Sequence, residues 1–217
     1  MWRTVWTVIA VVVMLLLVWW MRPTWLLPGT QPLVTQDGDP YLRALMRTIS
    51  ASEANVLRPY HVLHGGDLAA GLDAHPNRCV GIRQGPNRGN CSTAAGRYQL
   101  LYGTWTGLAQ RYHPKPPKQA DSEPSFEAIY QDTVVLAWLS DRRVWGMDVS
   151  EQLRQGRIRP VLRRLSGTWT SLGYGIEDNI MSAQLPRVYQ QLLAMELERA
   201  RKMELLPAGQ AQKQTNP

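Results

Sequence analysis

The sequence predicts an α+β protein, in which a mostly helical domain carries a small β-sheet lobe and follows one transmembrane helix. Three observations support this prediction. Apolar residues recur at helical spacing in several segments between residues 40 and 206. Residues 56–98 are instead rich in Gly, Pro, Asn and His and are too many for a simple loop, so a small sheet with a binding surface is expected there. The third observation is an apolar run near the start of the chain.

Residues 5–21 form this run, and Thr7 is its only polar member. As a helix the run would be about 26 Å long, close to the lower limit for crossing a bilayer core. Tryptophans cluster towards both ends, at positions 2, 6, 19, 20 and 25, which suits the two aromatic belts of a membrane. No small-x-small cleavage site follows, so residues 1–22 are predicted to be an uncleaved transmembrane anchor. A buried core helix and a cleaved signal peptide are the alternatives.

The organisation of the remaining chain follows from its composition. Residues 23–39 contain three prolines and two glycines without a helical or strand period, and predict a semi-extended linker of up to about 50 Å. The globular domain is expected at residues 40–206, long enough for a sizeable core. Residues 207–217 are small and polar and are predicted to be a disordered tail.

Within the domain, five helices are predicted. Asp39 and Pro40 have the order of an N-cap followed by proline at the first helical position, which starts a helix over residues 40–52. A second strong pattern covers residues 125–141, with Phe126, Ile129, Thr133, Leu136 and Ala137 on one face. The other helices are expected at residues 102–112, around an apolar stripe at 158, 161, 162 and 165, and at residues 186–206.

Glu53 is the candidate catalytic residue, because an acid occupies a position where the first helix would otherwise place an apolar side chain. Steps of four, three and four residues from Leu42 reach Met46, Ile49 and then Glu53, so the carboxylate continues the apolar stripe. A carboxylate partly removed from water holds its proton more tightly, as a general acid near neutral pH requires. The alternative is an exposed glutamate just beyond a fraying helix end.

The overall charge is compatible with several anionic partners and does not identify one of them. The 217-residue chain has a mass of 24.6 kDa and a formal charge of +7, which would suit an anionic polymer such as nucleic acid, acidic lipid or the bacterial cell wall. Its basic residues are scattered rather than grouped into an arm, so no nucleic-acid partner is predicted. The sequence contains no Walker loop and no Gly-rich dinucleotide turn, and no cofactor is predicted.

Cys79 and Cys91 are the only cysteines, and they lie in a stretch rich in Gly, Asn, Arg and Pro. In a reducing compartment they would be two unrelated thiols, whereas export would favour a disulfide that closes this loop. Such a bond could stabilise the fold by roughly 3 kcal/mol by restricting the unfolded chain. The spacing does not match a CxxC metal or redox motif.

Five blocks in order carry a resemblance to a known family. They are residues 42–53, ending in Ser-Glu; residues 62–76, with a Gly-Gly pair and a final His-Pro; residues 92–101, with Ala-Gly-Arg-Tyr-Gln; and residues 131–136 and 167–173. Over residues 41–195 the chain resembles the phage lambda-type endolysins, lytic transglycosylases of glycoside hydrolase family 104 in the lysozyme-like superfamily. The cysteine pair and the predicted anchor depart from that pattern.

This resemblance implies a lysozyme-like fold, in which a helical lobe and a small sheet surround a groove. Glu53 would match the family's single catalytic acid, at the end of the first long helix. Tyr98 and Gln99 would belong to the cleft wall near it, and the full set of predicted substrate-binding residues is Tyr60, Gly96, Tyr98 and Gln99. Tyr60 and Trp169 could stack on sugars, although core packing is the commoner role of such aromatic residues.

The implied activity is cleavage of the β-1,4 bond between N-acetylmuramic acid and N-acetylglucosamine in peptidoglycan, with a 1,6-anhydro-muramyl end as product. Glu53 would protonate the leaving oxygen and then accept the proton of the muramyl 6-hydroxyl, whose intramolecular attack replaces a second carboxylate. A hydrolytic muramidase is the closest alternative, since Asp67 or Asp73 could serve as its second carboxylate; both could equally be turn residues beside glycines. A catalytically inactive module that binds glycan or an envelope complex is another.

Two expectations remain, for metals and for location. His61, His64 and Asp67 stand three residues apart, but without a convincing fourth ligand no metal site is predicted. A short N-terminal tail is commonly cytosolic, so a single-pass protein of the bacterial inner membrane is predicted, with its catalytic domain in the periplasm. Its partners would be peptidoglycan glycan strands, the lipid bilayer through residues 5–21, and a trans-envelope machine.

Overall fold

The structure is a computed structural model that describes Trp6, Met14 and residues 27–116, 122–174 and 181–205. Within these ranges helices dominate and the named strands form one small sheet, which confirms the α+β prediction. The α-helices of the described ranges are α1 (Pro40–Glu53), α2 (Tyr102–Tyr112), α3 (Ala128–Ser140), α4 (Arg142–Trp145), α5 (Val149–Arg154), α6 (Ile158–Leu165) and α7 (Leu185–Glu204). Short 3₁₀ turns occur at Pro28–Thr30, Pro59–His61 and Thr170–Leu172.

The five predicted helices are present, with ends that differ from the prediction by at most three residues. Asp39 is the N-cap of α1, as predicted, and its carboxylate accepts a hydrogen bond from the Tyr41 N–H. The sequence prediction missed α4 and α5 because four and six residues are too few to show a helical period. Local capping marks them instead: Asp141 and Asp148 cap their first turns, and Gly146 ends α4 in the left-handed region.

Helix α3 buries a different face from the predicted one. Ile129 is 37% exposed and Leu136 is only partly buried. The buried face instead consists of Gln131, Asp132, Val134, Val135, Trp138 and Leu139. The two polar residues can enter the interior because hydrogen bonds satisfy them: Gln131 Nε2 donates to two backbone carbonyls, and Asp132 accepts from two tyrosine hydroxyls and two backbone N–H groups. A pattern based on apolar residues cannot detect such a face.

Helix α1 packs mainly on α7 and also contacts α3 and α5, so it lies at the centre of the helical lobe. Its core-facing side chains are at most 3% exposed: Leu42, Leu45, Met46 and Ile49. Between the two helices, Glu196 of α7 accepts hydrogen bonds from Arg43 Nε and Arg47 Nη1, each at 2.7 Å. The three charged side chains are at most 4% exposed, so a complete ion triad is buried in the α1–α7 contact.

From residue 27 onward, the predicted linker is packed against the domain. We name residues 27–37 the strap. Thr30, Leu33 and Thr35 are 3–4% exposed. Buried arginines from α1 and from the loop before α2 donate to strap carbonyls, and Asp132 accepts from the N–H groups of Val34 and Thr35 at 2.8 and 3.2 Å. This part of the predicted linker therefore belongs to the folded domain and is not a free tether.

A small β lobe follows α1, as predicted for residues 56–98. Strands β1 (Val80–Gly81) and β2 (Cys91–Ser92) pair antiparallel, and isolated bridges join Val62 to Leu68 and Ala95 to both Leu63 and Leu100. Of the two states considered for the cysteines, the structure shows the disulfide: Cys79 and Cys91 are bonded, with Cα atoms 5.3 Å apart. The bond joins the start of β1 to β2 and closes the loop between them.

Several predicted segments lie outside the described residues. Of the predicted anchor the structure describes only Trp6 and Met14, both helical and exposed. Within the described part of the chain, no helix combines the length and the apolar character needed to cross a bilayer. Residues 23–26 of the predicted linker and the predicted tail at 207–217 are also outside the described ranges.

Candidate active site

An open cleft of about 950 Å³ lies where the end of α1 meets the β lobe and the turn Thr170–Leu172. Its walls are formed by residues 53–56, 62–66, 84–87 and 168–170, together with Ile82, Ser92, Ala94, Gln99 and Leu101. The lining mixes amides, hydroxyls and a Gly-Gly segment with a few aliphatic side chains. An open cleft with both polar and apolar walls suits an extended, amphipathic ligand such as a glycan strand better than a compact apolar one.

Glu53 is the last residue of α1 and lies half-buried in this cleft. The side chains that precede it on the stripe are buried in the core, so the helix carries the carboxylate to the boundary between core and cleft. The alternative of an exposed glutamate beyond a fraying helix end is therefore wrong. Among the described residues that line the cleft, Glu53 is the only carboxylate.

Ser171 is a described partner of Glu53, and its Oγ donates a hydrogen bond to Glu53 Oε1. It belongs to the turn Thr170–Leu172 and is 8% exposed. Ser52 Oγ and Ser182 Oγ both donate to the Ser171 carbonyl, at 2.8 and 3.1 Å, and hold this turn against the end of α1. A hydroxyl in this position orients the carboxylate. No spacing rule identifies such a serine; its place in the block at residues 167–173 was the available signal.

Gln99 lines the cleft, whereas Gly96 lies behind the wall. Gln99 has φ 44° and its Nε2 donates to the carbonyls of Val62 and Gly96, at 3.1 and 3.0 Å. Gly96 is buried with φ 73°, and a Cβ there would lie 2.7 Å from the Phe126 ring and closer still to the Gln131 amide. Because Gly96 has no side chain, the turn before α2 can pack closely against Phe126 and α3. Gly96 was predicted to bind substrate, but it lies behind the cleft wall.

Tyr98 and Tyr60 belong to a buried polar network rather than to the cleft surface. Tyr98 Oη donates to Asp132 Oδ1 at 2.6 Å, and Tyr60 Oη donates to Asp132 Oδ2 at 2.8 Å. Burial, reinforced by the nearby Asp132 carboxylate, raises the pKa of both hydroxyls above the ordinary value of 10, so both keep the proton that they donate. Tyr98 is fully buried and Tyr60 is not among the cleft-lining residues, so neither offers a sugar-stacking face here.

Trp169 also serves the core. It is 2% exposed, its Nε1 donates to the Tyr98 carbonyl at 2.9 Å, and its ring centroid lies 5.2 Å from that of Trp138. Trp169 therefore exposes no ring face to the cleft. Of the two roles considered for this tryptophan, core packing is the one observed.

The two aspartates considered as a second carboxylate lie outside the cleft lining. Asp67 is exposed and forms a 3.6 Å ion pair with Arg78, while Asp73 is exposed beside Gly71. His64 lines the cleft and His61 Nδ1 lies 3.3 Å from the Ala69 carbonyl. Across the described ranges, no group of three or more His, Cys, Asp or Glu side chains could hold a metal ion.

The geometry thus defines a helical protein with a small sheet and with an acid at the end of its first long helix, facing an open cleft. The chain belongs to the Endolysin family, whose family model matches residues 43–195. The match includes α1 with Glu53, the β lobe, the Ser171 turn and about half of α7. It confirms the predicted membership in the lambda-type endolysin family.

Two endolysins of Escherichia phages are among the relatives. The chain is 32% identical to the phage lambda endolysin over 119 residues, or 54% of this chain and 64% of the relative, slightly less than two thirds of that protein. It is 28% identical to the phage P2 endolysin over 149 residues, 62% of this chain and 82% of the relative. The solved structure of bacteriophage lambda lysozyme complexed with a chitohexasaccharide matches with a TM-score of 0.53 and 26% identity, covering 73% of this chain and 97% of that one. The likeness confirms the predicted lysozyme-like fold.

Proposed function

We propose that this protein cleaves the β-1,4 bond between N-acetylmuramic acid and N-acetylglucosamine in peptidoglycan, with Glu53 as the general acid. The observation that carries the proposal is the half-buried Glu53 carboxylate at the end of α1, held by the Ser171 hydroxyl and open to the cleft. Family membership supports it, as does the lambda lysozyme complex, in which a related fold holds a chitohexasaccharide. Breaking a glycosidic bond requires a proton on the leaving oxygen, and a single carboxylic acid can provide it.

The reaction that fits the described cleft best is lytic transglycosylation. Glu53 protonates the N-acetylglucosamine leaving oxygen and then, as a carboxylate, accepts the proton of the muramyl 6-hydroxyl. That hydroxyl attacks the anomeric carbon of its own sugar and closes a 1,6-anhydro ring. Because the attack is intramolecular, orientation replaces the second carboxylate that activates water in hydrolases. The position of Glu53 as the only carboxylate among the described lining residues supports this course.

Purified peptidoglycan digested with the full-length protein and with Glu53→Gln tests the proposal. General acid catalysis contributes about 10²–10⁴-fold, so the variant is expected to release fragments slower by about that factor while remaining folded. Asp67→Asn and Asp73→Asn are matched carboxylate controls outside the cleft, and both should digest at the wild-type rate. Equal, negligible release by wild type and Glu53→Gln would leave an inactive glycan-binding or envelope-assembly module as the better description.

Mass spectrometry of the products separates the two enzyme classes. Anhydro-muramyl ends are expected from a transglycosylase, whereas reducing ends that contain one added water would identify a hydrolytic muramidase. In the second case the base must be sought outside the described lining. Glu177 and Asp178, in the segment 175–180 that the structure does not describe, are then the first residues to replace.

The proposed setting is the bacterial inner membrane, with residues 5–21 as a single span and the domain in the periplasm. The apolar run and the disulfide support this setting, since structural disulfides persist in oxidising compartments. Because the strap packs on the domain, at most residues 22–26 would separate the proposed span from it, and five residues reach at most about 18 Å. The enzyme would thus open the wall close to the membrane, as insertion of a trans-envelope machine requires. A mature protein found cleaved and freely soluble in the periplasm would contradict the anchor.

A further inference from the structure

The strap reaches the segment that carries and follows Glu53. The Gly29 N–H donates to Asn55 Oδ1 at 3.0 Å, and Ser50 Oγ donates to the Gly29 carbonyl at 2.7 Å. Further along, Gln31 Nε2 donates to the Leu57 carbonyl at 3.1 Å. These contacts hold the chain on both sides of Glu53, and Asn55 itself lines the cleft.

Gly29 approaches the end of α1 as closely as backbone atoms allow. A Cβ at this position would lie 2.7 Å from the Ser50 carbonyl oxygen, 2.8 Å from the Ala54 carbonyl oxygen and 3.0 Å from the Asn55 Cα. These are backbone atoms, so the last turn of α1 would have to move to make room for a side chain. The glycine is therefore required by the close approach of the strap to the helix.

Further buried contacts fix the strap itself, so it can act as a rigid support. Arg47 Nε and Nη2 donate to the Thr30 carbonyl at 2.8 and 2.6 Å, and Arg97 Nη2 donates to the Gly29 carbonyl at 3.3 Å. Thr30 is 3% exposed, and Leu33 packs in the core of the domain. A shift of the strap would disturb these buried charge-assisted bonds, which makes its position well defined.

We propose that the strap positions the catalytic carboxylate of Glu53. The positioning residues are Gly29 in the strap and Asn55 just after α1, because they form the contact between these two segments. The inference rests on the proposed role of Glu53. Support for Glu53 by the strap fixes the distance between the acid and the scissile bond, to which proton transfer is very sensitive.

Steady-state kinetics of the full-length protein with Gly29→Ala test the inference. Misplacement of the acid by the added methyl group is expected to lower kcat about 10- to 100-fold, with KM changed by less than about twofold. Gly107→Ala on the surface of α2 is the matched control, because a Cβ there meets no atom within 4 Å. Its kcat and KM should equal those of the wild type.

A second pair of variants separates positioning from a general loss of stability. Asn55→Ala removes the acceptor of the Gly29 N–H without adding atoms, and kcat is expected to fall about three- to tenfold with KM unchanged. Val149→Ala creates a cavity in the core, and below its unfolding temperature its kcat per folded molecule should remain that of the wild type. This comparison also decides the matter if Gly29→Ala does not fold.

Each outcome bears on one proposal or on both. Wild-type kcat in folded Gly29→Ala and Asn55→Ala, alongside an inactive Glu53→Gln, would overturn the role of the strap and leave the proposed function intact. A raised KM at unchanged kcat would also overturn it, because the strap would then act on substrate binding. Wild type as inactive as Glu53→Gln would overturn both proposals.

Discussion

Glu53 and Glu196 lie on the two helices that pack most extensively on each other, yet their surroundings differ. Glu196 is 2% exposed, and both of its oxygens accept hydrogen bonds from arginines of α1 at 2.7 Å. Glu53 is half-buried, faces the cleft and is held by a neutral hydroxyl. Glu196 thus stabilises the contact between two helices, whereas the position of Glu53 at the cleft agrees with its proposed role in proton transfer.

The direction of the Glu196 titration shows how its surroundings act. Burial alone would raise the pKa of Glu196, but the ion pairs and hydrogen bonds with Arg43 and Arg47 outweigh it and hold the pKa below the usual 4.5. The charge is therefore permanent at neutral pH and cannot take part in proton exchange with a substrate. A general acid instead has to be able to hold and release a proton near the working pH.

Removing the Glu196 charge should have the largest effect on stability. Glu196→Gln leaves Arg43 and Arg47 buried without their counter-ion, and the free energy of unfolding is expected to fall by about 3–5 kcal/mol. Urea denaturation at pH 7 measures it. Glu198→Gln, on the exposed side of the same helix, is the matched control and should change stability by less than about 0.5 kcal/mol. A loss as small as that of the control would show that the buried triad stabilises the fold no more than an exposed ion pair does.

The pH dependence of the same pair has a definite sign. Because the folded-state pKa of Glu196 is lowered, its contribution is fully present above about pH 4.5 and is lost as the pH falls through the folded value. Glu196→Gln should therefore lose this part of the acid destabilisation. This contribution is measured as the difference between wild type and Glu196→Gln in how the free energy of unfolding changes below about pH 4.5.

These residues also show what a single sequence can and cannot predict. The apolar stripe of α1 and the Asp39 cap depend on neighbours in the chain, so local rules suffice for them. The triad joins positions 43, 47 and 196, and the buried face of α3 depends on partners that only the fold supplies. The strap was predicted as a linker because its prolines and glycines are typical of linkers, and nothing in its composition indicates that buried arginines bind its carbonyls.

The disulfide between Cys79 and Cys91 closes a loop that lines the cleft, and removing this bond should have the next largest effect on stability. Replacement of Cys79 and Cys91 by serine is expected to lower the free energy of unfolding by about 3 kcal/mol, because the unfolded chain is then no longer restricted by the bond. Because residues 84–87 of the same loop line the cleft, KM should rise while kcat stays near the wild-type value. Calorimetry and kinetics of the double variant test both parts. An unchanged KM would show that the loop shape does not depend on the bond.

A smaller effect is expected from Ser171→Ala, which removes the described hydroxyl partner of Glu53. The loss of one orienting hydrogen bond should lower kcat about tenfold, equivalent to about 1.4 kcal/mol, with little change in KM. Ser182→Ala removes a neighbouring hydroxyl that donates a hydrogen bond to the Ser171 carbonyl, and it should have a weaker effect on kcat. Equal effects of the two substitutions would indicate that the turn as a whole, and not the bond to Glu53, matters.

The site was predicted less completely than the fold, for a physical reason. Glu53 and Gln99 reach the cleft because the helix end and the turn after Gly96 expose them, and sequence blocks are sufficient to locate such positions. Tyr98 and Gly96 stand in the same block, yet they face the interior. Sequence order does not distinguish a residue that forms the inner support of a wall from one on its surface. Ser171 lies 118 positions from Glu53 and is brought to it only by the fold.

The smallest predicted effect concerns His75, a buried titratable group that, unlike Glu196, is neutral. Burial lowers the pKa of His75 below its ordinary 6.5, although the hydrogen bond with the Leu100 carbonyl and the Glu123 carboxylate oppose this. The Asn77 N–H donates to Nδ1 at 3.1 Å, so the proton lies on Nε2, 2.9 Å from the Leu100 carbonyl that accepts it. Protonation would abolish the first of these bonds.

The sign of the resulting pH effect follows from proton uptake by the unfolded state. Between the folded pKa and 6.5 the unfolded chain binds a proton that the native protein does not, so stability falls as the pH decreases through this window. The slope attributable to this group is at most about 1.4 kcal/mol per pH unit. Unfolding of wild type and His75→Gln between pH 5 and 7.5 measures it as the difference in slope, so other titrating groups cancel. Parallel curves would mean that His75 is not held neutral by burial, and that the ion triad, unlike this histidine, is the interior site where charge governs stability.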